Sequence, residues 1–140
     1  MRILGLDVGE RRIGIAMSDS LGITAQRLTM LQRSDPASDI DRIVTLTREH
    51  DAQGVVVGLP LTMQGTVGEQ ARRVLEFVEA LKERLDCPVH LVDERLTTVQ
   101  GERALITMDT SRRRRKQLVD QIAAQLILQT YLDAHPQSRL

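Results

Sequence analysis

Residues 54–59 (GVVVGL) are the feature that most limits how this chain can fold. A short, uninterrupted, valine-rich apolar run that ends at a proline, here Pro60, is typical of a strand buried on both faces of a parallel sheet. Residues 89–92 (VHLV) predict a second short buried strand. Because such strands need helices on both faces and crossover connections, the chain is predicted to fold as an α/β protein.

The segments before this run supply the remaining strands. Residues 2–7, 12–18 and 23–31 are each predicted to form a strand, and the short turns between them predict an antiparallel meander. The next segment has Asp35 followed by Pro36, and a proline at the first helical position predicts the start of a helix.

Three further helices complete the prediction. Thr66 and Glu69 are spaced as a capping box at the start of the second helix. A third helix is predicted from near Thr98 over residues 98–108, and the last runs from near Lys116 over residues 116–135. We therefore predict one domain over residues 1–140: a five-stranded mixed sheet, with three antiparallel strands and then helix–strand–helix–strand–helix, flanked by helices.

The amino-acid composition argues against several classes of function. The 140 residues contain 19 basic and 19 acidic side chains, which is not the strongly basic balance of a nucleic-acid coat protein. With Phe77 and Tyr131 as its only aromatic residues besides histidine, the chain is a poor candidate for base stacking. No apolar run is long enough to span a membrane, no signal-peptide pattern is present and Cys87 stands alone, so we expect a cytoplasmic protein without membrane partners.

Three carboxylates stand out by their positions. Asp7 ends the first strand and precedes Gly9; with Gly14, this glycine would let a backbone or a phosphate come close. Glu94 follows the strand of residues 89–92, where ligand sites form in open α/β sheets. Asp120 shares a helix face with apolar residues, beside two alanines that keep the helix thin.

Each carboxylate also has a structural interpretation. Asp7 could form an Asx-turn at a strand end. Asp93 and Glu94 could pair with Arg95 or Arg103, or cap the helix near Thr98. Asp120 could form an ion pair with the basic residues that precede it, since an uncompensated buried charge is costly.

Taken together, the three favour a metal site. If the first strand is central, its end can lie beside the end of the strand of residues 89–92, and the last helix can bring Asp120 over both. Three converging carboxylates repel one another unless cations lie between them, and oxygen ligands select Mg²⁺ or Mn²⁺. Two such ions, roughly 3.5–4 Å apart, would clamp the attacking and leaving oxygens of a phosphodiester.

A dense cationic run lies just before Asp120, and it consists of Arg112, Arg113, Arg114, Arg115 and Lys116. Most charge runs are solvated surfaces. Cations at a helix N-terminus oppose the helix dipole, however, and a sequence that accepts this cost favours an anionic partner such as the phosphate backbone. These contacts would position a nucleic acid without reading its sequence.

Four blocks of the sequence resemble the YqgF/RuvX family: residues 4–19 (LGLDVGERRIGIAMSD), 55–68 (VVVGLPLTMQGTVG), 92–98 (VDERLTT) and 111–133 (SRRRRKQLVDQIAAQLILQTYLD). They span nearly the whole chain in the family's order. The resemblance implies a ribonuclease-H-like fold and an acidic triad of Asp7, Glu94 and Asp120. In related resolvases the second acidic residue follows the fourth strand. Here that position reads Leu59-Pro60-Leu61 and has no carboxylate, so the resemblance implies that Glu94, after the next strand, takes this place.

The resemblance also implies a function. It indicates a nuclease that processes the 5′ end of pre-16S rRNA, with pre-rRNA and possible ribosomal particles as partners, or a Holliday junction resolvase that acts on branched DNA. It maps nucleic-acid contacts onto Arg95 and the cationic run. Asp19 and Asp93 are lower-ranked additional ligands, and the chain could be a monomer or a homodimer.

Two other classes of protein remain to be weighed. Actin-like ATPases and sugar kinases also place Asp-x-Gly after a strand, but they duplicate the domain and are far longer than 140 residues. A non-catalytic RNA-binding module for ribosome assembly would keep the fold and would differ in whether its carboxylates bind metal.

Overall fold

The computed structural model describes residues 2–97 and 112–136, and within the last helix it describes the backbone of residues 112–118 but not their side chains. Five strands form one sheet: β1 (Arg2–Val8), β2 (Arg12–Ser18), β3 (Ala25–Gln32), β4 (Ala52–Leu59) and β5 (Val89–Asp93). The helices are α1 (Pro36–Glu49), α2 (Glu69–Lys82) and α3 (Arg112–Ala134). The helix predicted from near Thr98 lies outside the described residues.

The strand order is β3-β2-β1-β4-β5. β1 pairs antiparallel with β2 and parallel with β4, β3 pairs antiparallel with β2, and β4 pairs parallel with β5. The predicted five-stranded mixed sheet is therefore confirmed, and β1 is its central strand.

Local chemistry explains where several elements begin. The Asp35 side chain accepts a hydrogen bond from the Ser38 backbone N–H at 2.9 Å and caps α1, with Pro36 in the first turn as predicted. β3 begins at Ala25, two residues later than predicted. The Asp19 carboxylate accepts hydrogen bonds from the backbone N–H groups of Ile23 and Thr24, and these bonds hold both residues in the preceding turn. These bonds also keep the pKa of Asp19 below its usual value.

Two local predictions were wrong. Gly68 is the N-cap of α2 and no side chain caps that helix. Thr66 instead belongs to the preceding turn, where its backbone N–H donates to the Thr62 hydroxyl, so it cannot form a capping box with Glu69.

β5 is an edge strand and not fully buried: Leu91 is 41% exposed because a single neighbouring strand pairs with it.

The helices cover the two faces of the sheet unequally. α1 and α2 pack on one face against large aliphatic side chains, among them Leu6, Ile15 and Val57. Among the described helices, α3 is the one that packs on the other face, through buried residues that include Ala123, Ala124 and Ile127. Of the described helices, none combines the length and the apolar character that crossing a membrane requires.

Candidate active site

Asp7 lies in the middle of a row of three positions that crosses the sheet. It pairs with Gly14 of β2, and it lies level with Gly58 of β4, one residue beyond the Leu6–Val57 pair. Laterally paired residues point to the same face of a sheet, so all three positions face α3. The carboxylate of Asp7 is thus flanked on both sides by residues without side chains, although Asp7 itself is only 7% exposed.

Gly14 allows α3 to approach the sheet very closely. A Cβ atom at this position would lie 1.9 Å from the backbone carbonyl oxygen of Asp120, so the helix backbone rests directly on β2. The predicted role of Gly14 in close backbone approach is confirmed. The approach places the N-terminal half of α3, and Asp120 with it, beside the strand that carries Asp7.

Glu94 reaches the same face by a different route. The expectation that the ends of the first strand and of residues 89–92 lie side by side was wrong, because β4 separates β1 from β5. Glu94 begins a short 3₁₀ helix (Glu94–Leu96), and its Oε1 atom lies 2.9 Å from where a Cβ of Gly58 would be. Its carboxylate therefore lies over β4, the strand that pairs with the one carrying Asp7.

Asp120 already has a cationic partner, but not the one weighed from the sequence. Its Oδ2 atom accepts a hydrogen bond from Nε of Arg12 at 2.5 Å, and the two side chains are 16% and 23% exposed. Arg12 precedes Gly14 by two residues on β2, so it projects from the same face. Sequence reasoning missed Arg12 because the pairing joins residues 108 positions apart.

Asp93 and Asp19, the lower-ranked ligands, are engaged elsewhere. Asp93 accepts hydrogen bonds from the backbone and the guanidinium of Arg95, with an Nη2–Oδ2 distance of 2.7 Å. This contact with Arg95 lowers the pKa of Asp93. Asp19 follows the opposite end of β2, away from Asp7.

Arg95 is held beside the loop that follows β4. Its guanidinium packs against Gly65, where a Cβ would lie 2.7 Å from Nη1, and Gly65 has a φ of +83° that favours glycine. The side chain of Arg95 remains 41% exposed. Arg95 is therefore held against Gly65 at the carboxyl end of the sheet, while part of its side chain remains accessible to solvent.

The cationic run occupies the first turns of α3, which begins four residues earlier than predicted. The backbone of Arg112 precedes that of Asp120 by eight residues, or about 12 Å along a helix. The side chains of Arg112, Arg113, Arg114, Arg115 and Lys116 lie outside the described residues.

The donors at this site are carboxylate oxygens, the ligand type that Mg²⁺ and Mn²⁺ prefer. In the described part of the chain, no three His, Cys, Asp or Glu side chains are already grouped closely enough to hold a metal ion. Asp120 is paired with Arg12, so a bound metal ion would compete with this guanidinium for its carboxylate.

Comparison with known proteins relates this arrangement to others. The family model described as Holliday junction resolvase RuvX matches residues 1–134. A protein of Clostridium novyi, provisionally named a pre-16S rRNA nuclease, is 49% identical over 96% of this chain and 99% of its own length. A protein of Desulforamulus reducens with the same provisional name is 47% identical over 96% and 98% of the two chains.

Solved structures of two resolvases share the fold. Thermus thermophilus RuvC in complex with a Holliday junction superposes with a TM-score of 0.61 at 14% identity, covering 96% of this chain and 94% of RuvC. The fowlpox virus Holliday junction resolvase gives a TM-score of 0.54 at 17% identity, with coverage of 96% and 99%. The ribonuclease-H-like fold implied by the sequence is confirmed.

Proposed function

This chain belongs to the RuvX family, and from that premise we propose that it is a metal-dependent endonuclease that hydrolyses nucleic-acid phosphodiesters. The observation that carries the proposal is the row across the sheet. Asp7 lies between two glycines, Glu94 reaches over one of them, and the backbone of Asp120 rests on the other. We assign the catalytic and metal-binding roles to these three carboxylates.

The three residues differ in how they are held. Asp7 sits on a strand that is paired on both sides, so its position is fixed by the sheet. Glu94 is carried by a 3₁₀ turn and Asp120 by a helix, so the three carboxylates come from three different elements. When bound at such a site, Mg²⁺ or Mn²⁺, with two ions expected, supplies an activated water and a charge that stabilises the departing oxygen.

Arg95 and the cationic run would position the nucleic acid. The side chain of Arg95 is 41% exposed at the same end of the sheet as Asp7 and Glu94. Its Nε and Nη2 atoms already donate to Asp93, so a phosphate would bind to the remaining N–H groups of the guanidinium. Arg112, Arg113, Arg114, Arg115 and Lys116 would extend these contacts along the phosphate backbone from the start of α3.

Pre-16S rRNA is the substrate that we rank first. The relatives with names that refer to this RNA are nearly half identical over almost their whole length, whereas the resolvase structures are less than a fifth identical. We accordingly propose one nuclease domain over residues 1–140 that acts in the cytoplasm on pre-rRNA, alone or within ribosomal particles.

Cleavage of a Holliday junction is the second candidate, favoured by the description of the matching family. A resolvase makes two symmetric cuts and needs two active sites, which requires a homodimer with two-fold symmetry. The two candidates can therefore be separated by the number of cuts and by the oligomeric state on the substrate.

The test uses two labelled substrates, a pre-16S rRNA 5′ segment and a four-way DNA junction. Each is incubated with Mg²⁺, Mn²⁺ or EDTA and with wild type, Asp7→Asn or the control Asp86→Asn, whose exposed carboxylate lies before β5 at the other end of the sheet. We expect metal-dependent cleavage of the RNA that Asp7→Asn abolishes and Asp86→Asn retains. Paired symmetric cuts in the junction would favour the resolvase. Binding without cleavage under all conditions would favour a non-catalytic RNA-binding module.

A further inference from the structure

Arg12 is a charged residue in the described part of this site to which the proposed function gives no role. It stands on β2 next to the turn that follows Asp7, and Gly9 donates its backbone N–H to the Arg12 carbonyl at 2.9 Å. Since Gly14 faces α3, the side chain two residues before it faces α3 as well. Arg12 therefore lies on the same face as the row of Asp7, Gly14 and Gly58, two residues closer to the end of β1 that follows Asp7.

We propose that Arg12 is a substrate-binding residue that holds the Asp120 carboxylate in the free enzyme and contacts a phosphate beside the cleavage site in the substrate complex. The inference rests on the proposed nuclease function and deepens it. It assigns Arg12 two alternative anionic partners, a carboxylate and a phosphate, at one position of the site.

The geometry of the ion pair supports this exchange. Asp120 is bonded through Nε of Arg12, and within the described residues no partner of the two terminal Nη groups is found. The side chain remains 23% exposed. A guanidinium offers five N–H donors, so Arg12 has donors left for a second anion, and a phosphate can engage two of them in parallel.

Charge balance supports it as well. Asp7, Glu94 and Asp120 bring three negative charges to one face, and a phosphodiester adds another. A cation that pairs with Asp120 lowers this repulsion in the metal-free protein. When Asp120 becomes a metal ligand, the same guanidinium lies beside the position that the substrate must occupy, and it can offset the charge of the phosphate.

Arg12→Gln is expected to change two affinities in opposite directions, that for Mn²⁺ and that for nucleic acid. Without its arginine partner, Asp120 becomes available, so Mn²⁺ should bind the substrate-free protein about fivefold more tightly, the equivalent of one partly exposed ion pair. Binding of an RNA or junction substrate in Ca²⁺, measured without cleavage, should become several-fold weaker, and its dependence on salt should fall by about one phosphate contact.

Three further variants make the test specific. Arg12→Lys keeps the charge and should keep the Mn²⁺ affinity near that of wild type, although it loses the two parallel donors and part of the nucleic-acid affinity. Asp120→Asn should weaken Mn²⁺ binding. Arg48→Gln removes an exposed arginine at the end of α1 and should change neither measurement. Mn²⁺ binding is measured by calorimetry on folded protein without substrate, so the result does not depend on cleavage.

The outcomes separate this inference from the proposed function. Unchanged or weaker Mn²⁺ binding by Arg12→Gln would overturn the claim that Arg12 holds Asp120 from the metal, and unchanged nucleic-acid binding would overturn the phosphate contact. Either result could occur while wild type still cleaves and Asp7→Asn does not, and then the nuclease proposal would stand. Failure of the wild-type protein to bind Mn²⁺ and to cleave would overturn both.

Discussion

The two faces of the sheet differ in the side chains that they present to the helices. The face under α1 and α2 is filled by large aliphatic side chains, and six strand residues there are fully buried: Leu4, Leu6, Ile13, Ile15, Val55 and Val57. The face under α3 includes several small residues, among them Gly5, Gly14, Ala16 and Gly58, beside larger ones such as Val56. At Gly5, Gly14 and Gly58 even one added Cβ atom would lie within 3.0 Å of α3 or Glu94.

The contrast shows how one sheet can combine stability with a site for charge. Large side chains on the first face bury the apolar area that stabilises the fold. Glycines on the second face let the backbone of α3 approach β1 and β2 closely, and let the Glu94 carboxylate lie over β4. Asp7 stands between Leu6 and Val8, which face the aliphatic side, so strand alternation separates the proposed catalytic position from this core.

The largest expected effect concerns the aliphatic face. Ile15→Ala removes a fully buried side chain and leaves a cavity, which should lower the free energy of unfolding by roughly 2–5 kcal/mol. Urea unfolding measures this loss, and Leu91→Ala on the edge strand should cost much less because Leu91 is 41% exposed. Below its unfolding transition, the Ile15→Ala protein should cleave within about twofold of wild type, since the row of Asp7 stays in place. A large loss of cleavage by folded Ile15→Ala would show that the faces are not separable.

The next largest effect concerns the close contact on the other face. Gly14→Ala places a methyl group against the carbonyl oxygen of Asp120, so α3 must move away from β2. A displacement of about 1 Å should reduce cleavage on the order of 10²-fold.

The matched control is Gly54→Ala, also in the sheet, where the nearest atom to the new Cβ is 3.8 Å away. Kinetic assays on both variants, with circular dichroism to confirm folding, test the claim. Equal activity of the two variants would mean that close approach at Gly14 does not position Asp120.

A smaller effect is expected from the buried charge that ties α1 to the turn after Asp7. The side chain of Asp39 is 1% exposed and pairs with Arg33 at 3.1 Å and Arg42 at 2.7 Å, while Arg33 donates to the carbonyl oxygen of Gly9. Burial raises the pKa of Asp39, but hydrogen bonds from Ser34 and the two arginines outweigh it, and the net pKa is lowered.

Because the folded-state pKa is below the unfolded value of about 3.9, the stabilisation by Asp39 is present above that pH and is lost as the pH falls through the folded-state pKa. Asp39→Asn should therefore cost about 2 kcal/mol at pH 7, a value reduced from that of a fully buried pair because both arginines are partly exposed. The difference from wild type should shrink below about pH 4. Urea unfolding at several pH values measures this, with exposed Asp41→Asn as control. A difference that does not change with pH would contradict the assignment.

The sequence was sufficient for the fold because its strongest signals are local. The valine-rich run of β4 and the Asp35–Pro36 helix start both depend on neighbours in the chain. The candidate carboxylates could also be chosen, since each follows or interrupts an apolar segment. The partner of Asp120 and the position of Glu94 over Gly58 could not, because they depend on strand order and on contacts between distant residues. The assumption that β1 and β5 are neighbours failed for this reason.

The smallest expected effect tests whether Arg95 depends on its glycine support. Gly65→Ala introduces a side chain at a φ of +83° and against the Arg95 guanidinium, whereas Gly22→Ala introduces one at a φ of +71° in the β2–β3 turn. Both should lower the free energy of unfolding by about 1 kcal/mol, because an L-residue is strained in this region. Gly65→Ala alone should also weaken nucleic-acid binding a few-fold, since it moves Arg95, the arginine that we propose contacts phosphate. If filter binding gives the same affinity for both variants, Arg95 acts independently of Gly65, and the glycine serves only the turn.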